Sequence, residues 1–172
     1  TAAAAPPTPT TTTPPTVSKN GTYAVRVTHN VTYGRALVCR GNPQCSWYNP
    51  RASRAPGTYT TIDLLMDVYA PVDPPPGPRP PLLCVHGGGY TGGDDERENC
   101  NVVGALFASA GWVVFTIDYR LAADMGNVPR NWPRTNATDL LWMPRYAYPA
   151  VRDAKAAVRY VHARAADWGV DA

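Results

Sequence analysis

Apolar and polar positions alternate over residues 23–33, where Val25, Val27 and Val31 fall on one side, as in a half-buried strand. Alternation returns over residues 60–69 and stops at Ala70-Pro71, which predicts a second strand. Six of the nine residues in the run 73–81 are proline, and proline lacks the backbone donor and fixes φ, so a stiff surface connection is expected there. Residues 82–86 (LLCVH) are apolar at almost every position and end in three glycines, the pattern of a strand buried on both faces. Residues 99–110 place Val102, Val103, Leu106 and Phe107 at helical spacing, with Gly111 as the stop. A further buried strand follows at 112–120. Residues 121–148 carry four aromatics and three prolines and read as a long irregular segment too apolar for a passive loop. Pro149 is suited to the first position of a last helix, whose expected apolar face is Val151, Ala154, Val158, Val161, Ala165 and Trp168 before Gly169.

Strand, glycine loop, helix, strand, loop, helix is an α/β order with a mostly parallel sheet flanked by helices. The chain has 172 residues and 44% hydrophobic content, enough for one core. A net charge of +3 gives no field that would recruit nucleic acid or an anionic membrane surface. No apolar run approaches the roughly 20 residues of a membrane-spanning helix. Of the 19 prolines, 15 precede position 82, and residues 1–16 hold only Ala, Pro and Thr. Such a composition has no large apolar side chain to offset the entropy of ordering. Residues 1–19 are therefore expected to be a disordered tail, with the domain at 20–172. The chain starts at Thr1 with no charged-then-apolar signal segment, so a processed or missing start is expected.

Cys39 and Cys45 flank the turn-rich stretch 40–44, where a disulfide would staple a loop with little core of its own. Asn20, Asn30 and Asn136 each begin an Asn-x-Thr glycan acceptor motif. Together these favour a secreted protein or one of the secretory pathway; four free thiols and chance motifs are the alternative. Cys84, inside an apolar run, reads as a small buried hydrophobe, and its pairing with Cys100 is left open. Cys84, His86 and Cys100 lack the paired short spacings of a zinc site, so no metal is expected.

The segment His86-Gly87-Gly88-Gly89-Tyr90 directly follows a buried strand. Three glycines remove every Cβ, so the backbone can take positive φ and a substrate atom can approach its N–H groups. Such a loop is suited to an oxyanion in acyl transfer. A plain flexible turn is the bland alternative, and neither nucleotide-binding glycine pattern accompanies the loop.

With its context, the sequence resembles the α/β-hydrolase fold, and within it the carboxylesterase and lipase group with an HGGG loop, which includes hormone-sensitive-lipase-like and feruloyl-esterase-like enzymes. Four segments carry the resemblance: LLMDVYAP at 64–71, PLLCVHGGGYTGG at 81–93, GWVVFTIDYRL at 111–121 and YPAVRDAKAAVRYVHARAADWGVD at 148–171. It implies a carboxylic ester hydrolase that needs no cofactor and acts on a small-molecule or polymer-linked ester through an acyl-enzyme. Carried over by position, Gly88 and Gly89 resemble the oxyanion donors, Gly87 shapes the turn, and His86 anchors the loop through a ring hydrogen bond. Asp118 and Arg120 resemble the family's Asp-Tyr-Arg element, with a structural, salt-bridging role. Asp153 fits a place near the N-terminus of the last helix.

The family's nucleophile stands in a Gly-x-Ser-x-Gly elbow, and none of Ser18, Ser46, Ser53 or Ser109 does. The nucleophile, acid and base are thus expected beyond Ala172, with no catalytic residue in this chain, which would be the N-terminal half of the domain and inactive alone. A hydrolase-like binding protein and a gene-model fragment without independent function are the alternatives. His29 and His162 are expected to have surface or packing roles. Tyr90, Trp132, Trp142, Tyr146 and Tyr148 would suit an aromatic acyl group or fill a cap core. The resemblance also puts the strand at 82–86 between the strand at 112–119 and the one leading to the elbow, so its free side would be an unpaired edge.

Overall fold

The computed structural model of the chain describes residues 17, 20–40, 42, 45, 58–74, 76–93, 99–129 and 142–171, with side chains in the last span from residue 146. The expected tail apart from Val17, Ser18, Ser46, Ser53, Trp132 and the Asn136 acceptor lie outside the described residues. Strand β1 (Val25–Val38) pairs antiparallel with β2 (Thr60–Pro71), from Val25 opposite Pro71 to Val38 opposite Thr60. It therefore runs past the expected end at Tyr33, because β2 supplies a ladder through Gly34 and Arg35 that the local pattern does not announce.

Strand β3 (Pro81–Val85) runs parallel to β4 (Val113–Ile117), and β4 pairs antiparallel with β2. The order is β1-β2-β4-β3, a mixed sheet in which the expected parallel pairing is confined to β3 and β4. Helix α1 (Cys100–Ser109) covers one face and α2 (Trp142–Ala163) the other, with a short α3 (Ala165–Trp168) after it. Under α2, Tyr33, Leu64, Met66, Phe115 and Ile117 pack with Ala157 and Val161; under α1, Tyr69 and Val114 pack with Ala108. None of the described helices is long and apolar enough to cross a membrane.

Both helices are rotated from the face their apolar periodicity predicts: Phe107 of α1, Ala154 and Val161 of α2 and, after it, Ala165 and Trp168 pack against the core as expected, but other expected positions do not. On α1 the buried residues are Cys100, Gly104 and Ala108, while Val102 and Leu106 stay 59% and 63% exposed. Gly104 lies so close to the Tyr69 ring that a Cβ there would meet it at 2.7 Å, so small residues decide which side can approach the sheet. On α2 the buried residues are Pro149, Ala150, Asp153, Ala157 and Val161, and Val151 and Val158 are exposed. The helix also starts earlier than expected, at Trp142, which places Pro149 in its interior and Asp153 about three turns from its start rather than one. An interior proline forgoes one helical hydrogen bond and costs about 3 kcal/mol. Burial of Pro149 and Ala150 and the ion pair of Asp153 offset that cost.

Strand β1 carries a bulge whose partner is buried and charged. Thr28 stands opposite Val68 and Val31 opposite Met66, so two residues, His29 and Asn30, face the single Asp67. The Asp67 carboxylate, 3% exposed, accepts from His29 Nδ1 at 2.5 Å and from the Asn30 backbone N–H at 2.9 Å. Asn30 takes φ 58° to do this, a conformation asparagine tolerates better than most residues. The role of His29 is thus to pin a bulge, a packing role made of a specific hydrogen bond.

Candidate active site

The loop after β3 is built by turning its carbonyls inward. Tyr119, just past β4 and buried, donates its hydroxyl to the carbonyls of His86 at 2.8 Å and Gly87 at 3.1 Å. The His86 ring stacks on the Tyr119 ring, with centroids 4.2 Å apart, and its Nδ1 reaches the Gly87 carbonyl at 2.9 Å. A carbonyl only accepts, so Nδ1 carries the proton in this contact. The Gly88 carbonyl accepts from both the backbone N–H and the hydroxyl of Thr91, at 3.1 and 3.0 Å.

In a trans peptide the C=O and the following N–H point in opposite directions. Fixing the carbonyls of Gly87 and Gly88 therefore aims the N–H groups of Gly88 and Gly89 away from the protein. Neither N–H has a hydrogen-bond partner among the described residues, and both glycines are exposed. The arrangement requires glycine: Gly88 has φ 95° and Gly89 φ 60°, and a Cβ on Gly88 would collide with the Gly92 carbonyl. Two free donors side by side on a braced backbone can bind an oxyanion. Tyr119 and Thr91, the two braces, were not singled out by sequence; Tyr119 sits inside the Asp-Tyr-Arg element, which was the available signal.

Arg120 turns away from the loop. It donates from Nε and a terminal nitrogen to both carboxylate oxygens of Asp153 at 2.8 and 2.7 Å, and from its other terminal nitrogen to the Leu37 carbonyl and Asn127. Asp153 is thus the buried partner of Arg120 and not a cap on the helix dipole, a correction that follows from the longer α2. The Asp118 carbonyl accepts the Tyr33 hydroxyl at 2.6 Å. Asp118 also lines a cavity of about 240 Å³ with Arg40, Gly93 and Arg120.

Burial, and secondarily the negative charges of Asp153 and Asp118, push the Tyr33 hydroxyl far above the usual tyrosine range, against the opposing effect of Arg120. A folded-state pKa raised above the unfolded one gives stability that is complete below the unfolded value, about pH 10, and is lost as pH rises from there. Urea melts of the wild type and of Tyr33→Phe are expected to show the steeper alkaline loss in the wild type; equal pH slopes would mean that Tyr33 ionises as readily folded as unfolded.

Two disulfides flank this region: Cys39 is bonded to Cys45, and Cys84 to Cys100. The pairing left open for Cys84 is thereby supplied, since the end of β3 and the first residue of α1 meet across the glycine loop with Cα atoms 5.9 Å apart, and Cys84 itself is half-buried rather than buried. With both sulfurs in that bond, neither is a thiolate ligand. Of the aromatic candidates, Tyr90 stands edge-on to Tyr119 with centroids 6.2 Å apart, beside the free N–H groups. Tyr146 and Tyr148 are half-buried on α2, and Trp142 opens that helix. His162 is exposed and remote from the loop, at the α2 end that overlies β3.

A sheet with a helix on each face, and a braced glycine loop at the carboxyl end of a parallel strand, are what the resemblance to the α/β-hydrolase fold implies. The BD-FAE family model matches residues 66–132, the span from the middle of β2 through the glycine loop to beyond β4. Among solved structures the chain is similar to a bacterial heroin esterase, at 21% identity and TM-score 0.45 over 84% of this chain and 32% of that one. It is similar to esterase B from Lactobacillus rhamnosis inhibited by a tributyrin phosphonate, at 19% identity and TM-score 0.48 over 89% of this chain and 35% of that one. Esterase 2 of Thermogutta terrifontis, phosphorylated by paraoxon, is 30% identical over 64% of this chain and 35% of its own, with TM-score 0.43. No curated protein matches the chain. The chain spans about a third of the length of the solved esterases it matches.

Proposed function

We propose that the chain is the oxyanion-binding part of a serine carboxylic ester hydrolase. The observation that carries this is the pair of unpartnered N–H groups on Gly88 and Gly89, aimed outward because Tyr119, His86 and Thr91 hold the carbonyls behind them. In the proposed reaction a serine oxygen attacks the ester carbonyl, and the negative charge that develops on the carbonyl oxygen is met by these donors. Each such donor contributes about 2.7 to 4 kcal/mol to the transition state. Collapse expels the alcohol and leaves an acyl-enzyme that water then hydrolyses. On this reading the serine, its acid and its histidine are supplied from outside residues 1–172, and the chemistry calls for no cofactor.

The free side of β3 supports this reading. Among the described residues β3 pairs only with β4, and beside it Pro81, Leu83, Phe115, Val158 and Val161 border an apolar cavity of about 320 Å³. A further strand and helix carrying the nucleophile would cover that surface. Tyr90, next to the donors, is placed to contact the acyl group of a small or polymer-linked ester. The two disulfides support a secretory location. The same two N–H donors also fit a second reading, a hydrolase-like binding protein that keeps the loop without the nucleophile.

Residues 1–172 alone are expected not to turn over p-nitrophenyl acetate, whereas the chain extended by the parent's following residues does. In the extended protein Gly88→Ala is expected to lower kcat about 10²- to 10³-fold. Saturable turnover by residues 1–172, or an unchanged kcat in Gly88→Ala, would overturn the proposal; a natural stop at 172 would establish the binding reading.

A further inference from the structure

We infer that Asn30 carries an N-linked glycan that shields the outer edge of the sheet. The motif is Asn30-Val31-Thr32, and the fold distinguishes it from the other two. Asn30 is exposed on the bulge of β1, its backbone N–H is held by Asp67, and its side-chain amide has no partner among the described residues. Thr32 is exposed, and its hydroxyl is equally unpartnered there. Asn20, by contrast, already has a partner, and its motif is tied to the end of α1 by hydrogen bonds from Thr22 and Tyr23 to the Ser109 carbonyl. The Asn136 motif lies outside the described residues.

The compartment is argued from the cysteines, independently of the motif. All four are paired in two disulfides, as in proteins that fold in the oxidising compartment where N-glycans are attached. There the Asn30 Nδ2 forms a bond to the anomeric carbon of a lipid-diphosphate-linked oligosaccharide. The bond from that carbon to the diphosphate oxygen breaks, the diphosphate leaves with the electron pair, and one amide proton is released. The chemistry needs no oxidant or reductant.

The position gives the glycan a physical task. β1 is the outermost strand on its side, long and unpaired along its outer edge among the described residues. Such an edge templates pairing with other chains, and a bulge blunts it only locally. A hydrated oligosaccharide anchored on that bulge keeps a second strand from docking. The bulge, with Asp67 beneath it, presents the asparagine outward at the middle of the edge.

The test is to produce the full chain through a eukaryotic secretory route and map its peptides before and after peptide-N-glycosidase treatment. The peptide with Asn30 is expected to carry a glycan, and enzymatic release is expected to leave an aspartate in place of that asparagine. Thr32→Ala, which leaves the asparagine and its backbone conformation in place, is expected to abolish the modification, and Thr32→Ser to retain it. The Thr32→Ala protein and the enzymatically stripped wild type are both expected to shift toward dimers and larger species in size-exclusion chromatography. An unmodified Asn30 in secreted, disulfide-bonded material would overturn the site. Unchanged elution after stripping would overturn the shielding role. Retention of the chain with four free thiols would overturn the compartment on which both rest.

Discussion

Asp153→Ala is expected to lower the unfolding free energy by about 3 to 5 kcal/mol, the usual consequence of removing one partner of a buried ion pair. Both side chains are 3% exposed, and each carboxylate oxygen takes a hydrogen bond from Arg120, with a further one from the Arg120 backbone N–H. The variant leaves a guanidinium buried with only the Leu37 carbonyl and the Asn127 side chain as acceptors among the described residues. It also unties the middle of α2 from the segment after β4, and leaves Arg120 to hold only the end of β1 and Asn127. Because a typical domain is stable by only about 5 to 15 kcal/mol, the variant is expected to be marginal or unfolded at 37 °C. Desolvating the pair costs nearly as much as the pairing returns, so Arg120→Met combined with Asp153→Leu is expected to be less destabilised than Asp153→Ala. Urea melts of the three proteins decide it. A single variant within about 1 kcal/mol of wild type would mean that the pair is solvated in solution and does not hold α2 to the sheet.

Removing the Cys84–Cys100 disulfide has the second largest expected effect. The bond closes a segment with a sequence separation of 16, for which the chain-entropy model gives about 3 kcal/mol. What lies inside the closed segment matters more than the total, because it includes His86 and all three glycines of the loop. The double variant Cys84→Ala, Cys100→Ala is therefore expected to exchange its amide hydrogens faster over residues 86–93, beyond what the lower global stability explains. The variant lacking the Cys39–Cys45 bond, placed at the end of β1, is not expected to do so. Exchange rates at 86–93 that rise only with global unfolding would show that Tyr119 and Thr91 suffice to brace the loop. The disulfide would then serve overall stability alone.

Several elements were legible from spacing alone. The β2, β3 and β4 strands stand where alternation and apolar runs place them, α1 begins and ends within a residue of its predicted bounds, and the glycine loop follows the strand that the run Leu82 to Val85 announces. These signals are local, since a strand or helix one face of which is buried must repeat apolar positions at its own period. The HGGG motif was equally legible, because a backbone that takes φ 95° against a neighbouring carbonyl, as at Gly88, has room only for glycine.

The tertiary structure decided what each element faces. Periodicity put Val102 and Leu106 of α1, and Val151 and Val158 of α2, against the sheet, yet the helices dock through Gly104, Ala108, Ala150 and Ala157. Apolarity reports what can be buried, whereas close packing is governed by volume, and the small residues permit the shorter approach. The His29–Asp67, Arg120–Asp153 and Cys84–Cys100 pairs join residues far apart in sequence, and no local pattern encodes which partner a buried charge or thiol will meet. The role of Tyr119 was hidden for the same reason: the Asp-Tyr-Arg element marks its place at the end of a strand but not what its hydroxyl meets. Only the return of β4 alongside β3 brings its hydroxyl under the carbonyls of His86 and Gly87, and so fixes the direction of the two N–H groups beyond them.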